Sequence, residues 1–109
     1  MKDLKGMYSF WKTLRSIGRS PNWKKKNKNG RIRLVDKDGH EYCPLTAVCQ
    51  KKTGEFYEID NAGIAGDNLN ISMTNQNRII ESADNDLDYY FDKKTRNKLL
   101  KTLRLKETK

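Results

Sequence analysis

Gly30-Arg31-Ile32-Arg33-Leu34-Val35-Asp36-Lys37-Asp38-Gly39-His40-Glu41-Tyr42-Cys43-Pro44 holds the change of period that decides the fold of this 109-residue chain. Arg31 to Asp36 alternates polar and apolar side chains, the two-residue period of a strand with one covered face. Asp38-Gly39 is a hairpin turn, because glycine accepts the positive φ such turns require. Glu41-Tyr42-Cys43 is the returning strand. Pro44 then fits the first position of a helix, where no backbone donor is needed. Leu45, Val48 and Cys49 form the buried side of that helix and Gly54 ends it. A small hairpin feeding a helix, with helical periods on both sides, predicts an α+β fold that is mainly helical: four or five short helices and one small β-hairpin.

Downstream, Glu55 to Ile59 reads as a short, extended apolar link. Asp60 or Asn61 caps a brief helix holding Ala62, Ile64 and Ala65, and Leu69 and Ile71 anchor a turn. Ser72 or Thr74 caps a helix that buries Ile79, Ile80 and Ala83. Residues 84–88 are an acidic break, and Tyr89, Tyr90 and Phe91 an aromatic cluster. Asp92 caps a last helix with Leu99, Leu100 and Leu103 inside and Lys93, Lys94, Lys98, Lys101 and Arg104 outside. Upstream, Leu4, Met7, Tyr8, Trp11, Leu14 and Ile17 recur at spacings of three and four, predicting a helix over 3–18 that turns this stripe to the core rather than to a membrane surface. Asp3 suits the start and Gly18 the stop. Residues 19–30 carry Pro, Gly and three Asn with little to bury, and read as an exposed loop. There is no internal repeat and no low-complexity stretch.

The length is that of one domain, and 23 cations against 14 anions leave a net charge of +9. The charge falls in blocks. The first segment, 1–33, holds eleven cations and one anion (net +10); the acidic centre, 34–92, has net −8; the basic end, 93–109, has net +7. The centre can neutralise at most eight of the seventeen excess positive charges, so an outward cationic surface should remain. Like charges in such blocks add their fields over ~8 Å, about a Debye length at physiological salt. A polyanion is therefore the expected partner class. No apolar run approaches the ~18 residues of a membrane span, and the start lacks the apolar core of a secretory signal. A cytoplasmic protein without a membrane partner is the expectation.

The basic loop is the most informative constellation. Trp23 stands beside Lys24, Lys25, Lys26 and Lys28, with Arg19, Arg31 and Arg33 near in sequence. Cations neutralise phosphates and release counterions, and an exposed indole stacks on an unpaired base. Lys93, Lys94, Lys98 and Lys101 make a second cationic ridge. Nothing suggests base-specific reading. Asn75, Gln76, Asn77 and Arg78 invite a helix-turn-helix reading, but they lie within the acidic block, and ordinary helix packing is favoured. His40, Cys43 and Cys49 lack the number and spacing of zinc ligands. Asp36-Lys37-Asp38-Gly39 starts like a calcium loop, yet position twelve is Ala47 rather than Glu. Asp84, Asp86 and Asp88 have no matching catalytic motif. No enzyme activity, metal or cofactor is expected.

Cys43-Pro44-Leu45-Thr46-Ala47-Val48, followed some thirty residues later by Ile79-Ile80-Glu81-Ser82-Ala83-Asp84-Asn85, resembles a pattern in small uncharacterised proteins carried by phages and prophages. The resemblance spans roughly residues 30–105 and leaves out the basic first thirty. It implies a genomic setting in which small proteins bind nucleic acid or block a host machine that handles it; it assigns no functional residue.

The expectation is a non-catalytic protein that binds nucleic acid or a nucleoprotein through the phosphate backbone. Lys24, Lys25, Lys26, Lys28, Arg19, Arg31 and Arg33, with the second ridge, would contact phosphates, and Trp23 would stack. The alternative is a phage-type inhibitor of a host defence complex, anti-CRISPR-like, whose acidic stretch 81–92 mimics nucleic acid against a host protein. A structural component of a virion or ribosome is the third reading.

Overall fold

A computed structural model of the chain describes residues 2–84 and 92–103. Helix α1 (Lys2–Gly18) is followed by three strands, β1 (Lys24–Lys28), β2 (Arg31–Val35) and β3 (Glu41–Tyr42). Helix α2 (Pro44–Thr53), a 3-10 turn (Ile59–Asn61) and helices α3 (Ala62–Asn68), α4 (Met73–Ala83) and α5 (Lys93–Thr102) complete it. The fold is α+β and mainly helical, as expected. The sheet, however, has three antiparallel strands in the order β1-β2-β3 rather than one hairpin.

The added strand is β1, in a stretch that reads as loop. Its partner is the apolar β2, with Lys28 directly opposite Arg31 and Lys24 opposite Val35. Asn29 and Gly30 close the connection at φ 54° and 80°, the paired positive φ of a two-residue hairpin whose twist matches its strands. The second hairpin turns where Asp38-Gly39 placed it: Gly39, at φ 87°, donates to the Asp36 carbonyl at 3.1 Å.

Helix α2 starts at Pro44, with the Cys43 N–H donating to Thr46 Oγ1 at 3.0 Å, and stops at the left-handed Gly54. Ser72 caps α4 by accepting from the Asn75 N–H, and Asp92 caps α5 by accepting from that of Thr95. Residues 55–58 form no strand.

The core gathers Phe10, Leu14 and Ile17 of α1, Ile32, Leu34 and Tyr42 of the sheet, most of α2, and Ile79, Leu99 and Leu103. Several apolar positions expected inside are outside. Leu4 and Tyr8 are each 70% exposed, and Ile64 and Leu100 are open too. Helix α1 is rotated because Gly6 faces the turn after α3, where a Cβ would meet the Leu69 and Asn70 backbone. That seats Phe10 inward and leaves Leu4 and Tyr8 outward. Asp3 locks the same end: its carboxylate accepts from the Ser72 N–H at 2.9 Å and from Asn75 Nδ2 at 2.6 Å. The bond from the Ser72 backbone is the main reason its carboxyl titrates below the usual range.

Candidate nucleic-acid interface

Register and pleat sort the basic residues of the sheet. Directly paired residues share a face and neighbours along a strand alternate. Lys24, Lys26, Lys28, Arg31 and Arg33 therefore fall on one face with Val35 and Glu41; Lys25 and Asn27 share the other with Ile32, Leu34 and Tyr42. On the cationic face Lys26 pairs with Glu41 at 3.2 Å. Arg33 reaches Asp84, at the end of α4, at 2.6 Å. Lys24, Lys28 and Arg31 stay exposed, with no ion pair among the described residues.

A second cationic surface forms where the two ends of the chain meet. Arg15 sits in the last turn of α1 and Arg19 in the turn just past it, and Lys98 and Lys101 face them from α5. With Gly18 and Thr102 they line a groove of about 450 Å³ that has no carboxylate in its walls among the described residues. All four cations are exposed. Lys98 also borders an adjoining groove of about 620 Å³. There Met7, Trp11 and Ile79 supply apolar surface and Lys94 and Arg78 charge. The Lys98 ammonium sits 4.1 Å from the centroid of the Trp11 ring. Asp92 is the one carboxylate in those walls among the described residues. It is engaged by the Thr95 N–H, the Thr95 hydroxyl at 2.7 Å and Arg78 Nε at 3.8 Å. Arg96 ties α5 to the hairpin by donating to the Gly30 carbonyl at 2.7 Å and to that of Ser82 at 2.8 Å. Helix α5 thus bridges the exposed hairpin end and the α1 groove, Arg96 and Lys101 being about 7.5 Å apart along its axis.

Two expected contacts are corrected. Trp23 is 6% exposed and packs on Tyr42 with ring centroids 5.2 Å apart. The pleat turns it to the core face, so it offers no stacking surface. Arg33 is buried, its guanidinium donating to Asp84 and to the Ile32 carbonyl, so its charge is already answered. Arg19, Lys98 and Lys101 converge in the groove. Lys93 and Lys94 open α5, and Lys24, Lys25, Lys26 and Lys28 belong to β1. The residues that the sequence reading did not assign to this phosphate-binding surface are Arg15, Trp11, Arg78 and Arg96. A signal existed for two of them: Trp11, Arg15 and Arg19 are spaced by four, and so form one stripe.

The remaining constellations are answered inside the fold. Gln76 is buried and donates to Asp67 and the Ile71 carbonyl, and Asn75 is held by Asp3, so α4 does not present a reading helix. Cys43 and Cys49 are buried while His40 is exposed; burial raises the Cys43 thiol pKa. Asp36, Asp38 and His40 bring ligand atoms within 4.8 Å of one another. Yet Asp36 Oδ1 accepts from the Asp38 and His40 N–H groups at 3.0 Å, and Oδ2 from the Tyr42 hydroxyl at 2.7 Å. Burial alone would raise the Asp36 pKa; these bonds outweigh it and lower it. The cluster is a turn. Asp86, Asp88 and Tyr89 to Phe91 lie outside the described residues. No helix among the described residues is long and apolar enough to cross a membrane. No protein-family model, no curated protein and no solved structure matches the chain.

Proposed function

We propose that the protein is a non-catalytic nucleic-acid-binding protein that grips the phosphate backbone with little sequence preference. The observation that carries this reading is the α1–α5 groove, where Arg15 and Arg19 from one end of the chain meet Lys98 and Lys101 from the other, with no carboxylate among them. Bringing four like charges together costs Coulomb energy in the free protein, and a polyanion relieves it. Lys24, Lys28 and Arg31 extend the same field across the hairpin. A role for the acidic centre as a nucleic-acid mimic has less support among the described residues, since Asp84 and Asp92 are already engaged.

The test is a salt titration of binding to a labelled mixed-sequence single strand by fluorescence anisotropy. The four groove cations alone contribute about −2.8 to the log–log slope, so affinity should fall at least about 50-fold between roughly 50 and 200 mM salt. Replacing Arg15, Arg19, Lys98 and Lys101 with Gln should make the slope shallower by about 2.8 at every sequence tried, leaving only the share of the hairpin cations. Replacing Lys37 and Lys51, from the acidic centre, should leave it. A slope unchanged in the fourfold variant would show that the groove is not the contact.

A further inference from the structure

Resting on that reading, we infer that the groove between α1, α4 and α5 is a single-strand site. An unpaired base lies on the Trp11 indole, and the flanking phosphates run along Lys94, Lys98, Lys101, Arg15 and Arg19. Three observations carry this. First, Trp11 lines an open groove of about 620 Å³, whereas Trp23 is sealed in the core; Trp11 is the indole with surface to offer. Second, that groove joins the one lined by Arg15, Arg19 and Lys101 through Lys98, which borders both. Aromatic floor and phosphate-binding walls thus form one path, the combination by which proteins hold single strands without reading sequence. Third, Lys94, Lys98 and Lys101 follow the spacing i, i+4, i+7 and so form one stripe along about 10 Å of α5.

The ring face is now covered by the Lys98 ammonium at 4.1 Å, and magnitudes decide whether a base displaces it. A cation over an exposed indole contributes a factor of about 2–5 in the equilibrium. A stacked base contributes about 5–150. The displaced Lys98 then meets the phosphate beside that base, so its charge is reused. A duplex keeps its bases stacked on one another and has no free face to lay on the floor of a concave groove. It can meet only the outer cations.

The experiment compares the full chain on a roughly 12-nucleotide oligothymidylate, the matching oligouridylate and a mixed-sequence duplex of the same length. Single strands should bind about 10-fold more tightly than duplex and quench tryptophan fluorescence, with Trp23 as the unquenched background. The deoxy and ribo arms show which sugar is preferred. Trp11→Leu should cost about 10-fold on single strands and nothing on duplex. Trp11→Phe, which keeps a ring against Phe10, should hold affinity within about 3-fold while abolishing the quench, and it decides the matter if the leucine variant does not fold. Equal affinity for duplex and single strand, or saturation without quenching, would overturn the stacking site while leaving backbone binding intact. Absence of salt-dependent binding to any of the three probes would instead overturn the function on which it rests.

Discussion

Replacing Gly6 with Ala separates what a helix wants from what this fold permits. In the interior of an exposed helix the change stabilises by about 1 kcal/mol. Here the new Cβ would lie 2.9 Å from both the Leu69 carbonyl oxygen and the Asn70 carbonyl carbon, and closer still to the Asn70 oxygen. Ordinary contact begins near 3.4 Å. The obstacle is backbone, and the backbone is held. The turn closes α3 with Asn70 at φ 59°, Asn70 N–H on the Asp67 carbonyl and Ile71 N–H on the Gly66 carbonyl, both at 3.1 Å. This is a Schellman arrangement with asparagine in the left-handed position. Either that cap opens or α1 lifts and loosens the Asp3 bonds to Ser72 and Asn75. Overpacking costs ~1–3 kcal/mol and each strained hydrogen bond ~1 kcal/mol. The helix-propensity gain then leaves a net loss of about 2–3 kcal/mol, a fall in Tm of about 10 °C for a domain of this size. Gly63→Ala is the control. Its Cβ meets nothing closer than Gln76 Oε1 at 3.9 Å, so it should stabilise by up to ~1 kcal/mol. Urea unfolding followed by tryptophan fluorescence reads both. If the two variants shift the midpoint in the same direction, the close approach of α1 to the α3 turn is refuted, and with it the rotation that places Trp11 and Arg15 opposite α5.

Two further outcomes follow from particular contacts. Arg33→Met should cost about 2 kcal/mol in the same unfolding assay, below the ~3–5 expected for a fully buried pair, because Asp84 remains 35% exposed and can hydrate. It should leave the salt slope of binding unchanged, whereas Arg31→Met lowers that slope by about 0.7; equal effects on binding would mean that Arg33 is free after all. Tyr42→Phe removes the 2.7 Å bond to Asp36 and should cost about 1.5 kcal/mol at neutral pH. The Asp36 carboxyl is held below its ordinary value near 3.8. Its contribution is therefore complete above that pH and is lost as pH falls through the lower folded value. In the variant the folded value moves back toward the ordinary one, so an acid titration should show a smaller loss of stability that levels off at higher pH. An unmoved acid limb would show that the hydroxyl does not hold the carboxylate.

The elements legible in the sequence are those whose ends carry their own chemistry. Pro44 and Gly54, Ser72 and Asp92 specify starts and stops through groups within a few residues, and the structure keeps each in that role. What escaped depends on distant partners. Strand β1 has no apolar alternation; it exists because β2 supplies both the ladder and the buried face, and its local trace was the Asn29-Gly30 pair rather than its own five residues. The rotation of α1 depends on Gly6, the residue with no side chain for a periodicity argument to see. The two tryptophans depart from the expected roles to different degrees for the same reason. Trp23 looks exposed beside its lysines, yet the pleat alternates it away from Lys24 and onto Tyr42. Trp11 looks like core and does pack against it, but the rotation that buries Phe10 leaves it half-buried, with surface lining a groove.

The placement of charge argues against a purely structural role for the basic blocks. Like charges directly opposite in a sheet destabilise it, and β1 and β2 set Lys26 against Arg33 and Lys28 against Arg31. The fold answers the first pair fully, through Glu41 and Asp84. Among the described residues it answers neither the second nor the four cations of the α1–α5 groove, although those residues have carboxylates to offer. Two of these take neutral partners instead: Glu55 accepts from the Tyr57 hydroxyl, and Asp67 from the Gln76 amide. A sequence shaped for stability alone would intersperse the two signs. This one keeps them apart, and leaves its unanswered cations on the hairpin end and along α5, two surfaces tied to each other by Arg96. The repulsion held there is modest for each pair in water, but it has one sign, and a phosphate backbone laid across both surfaces removes it.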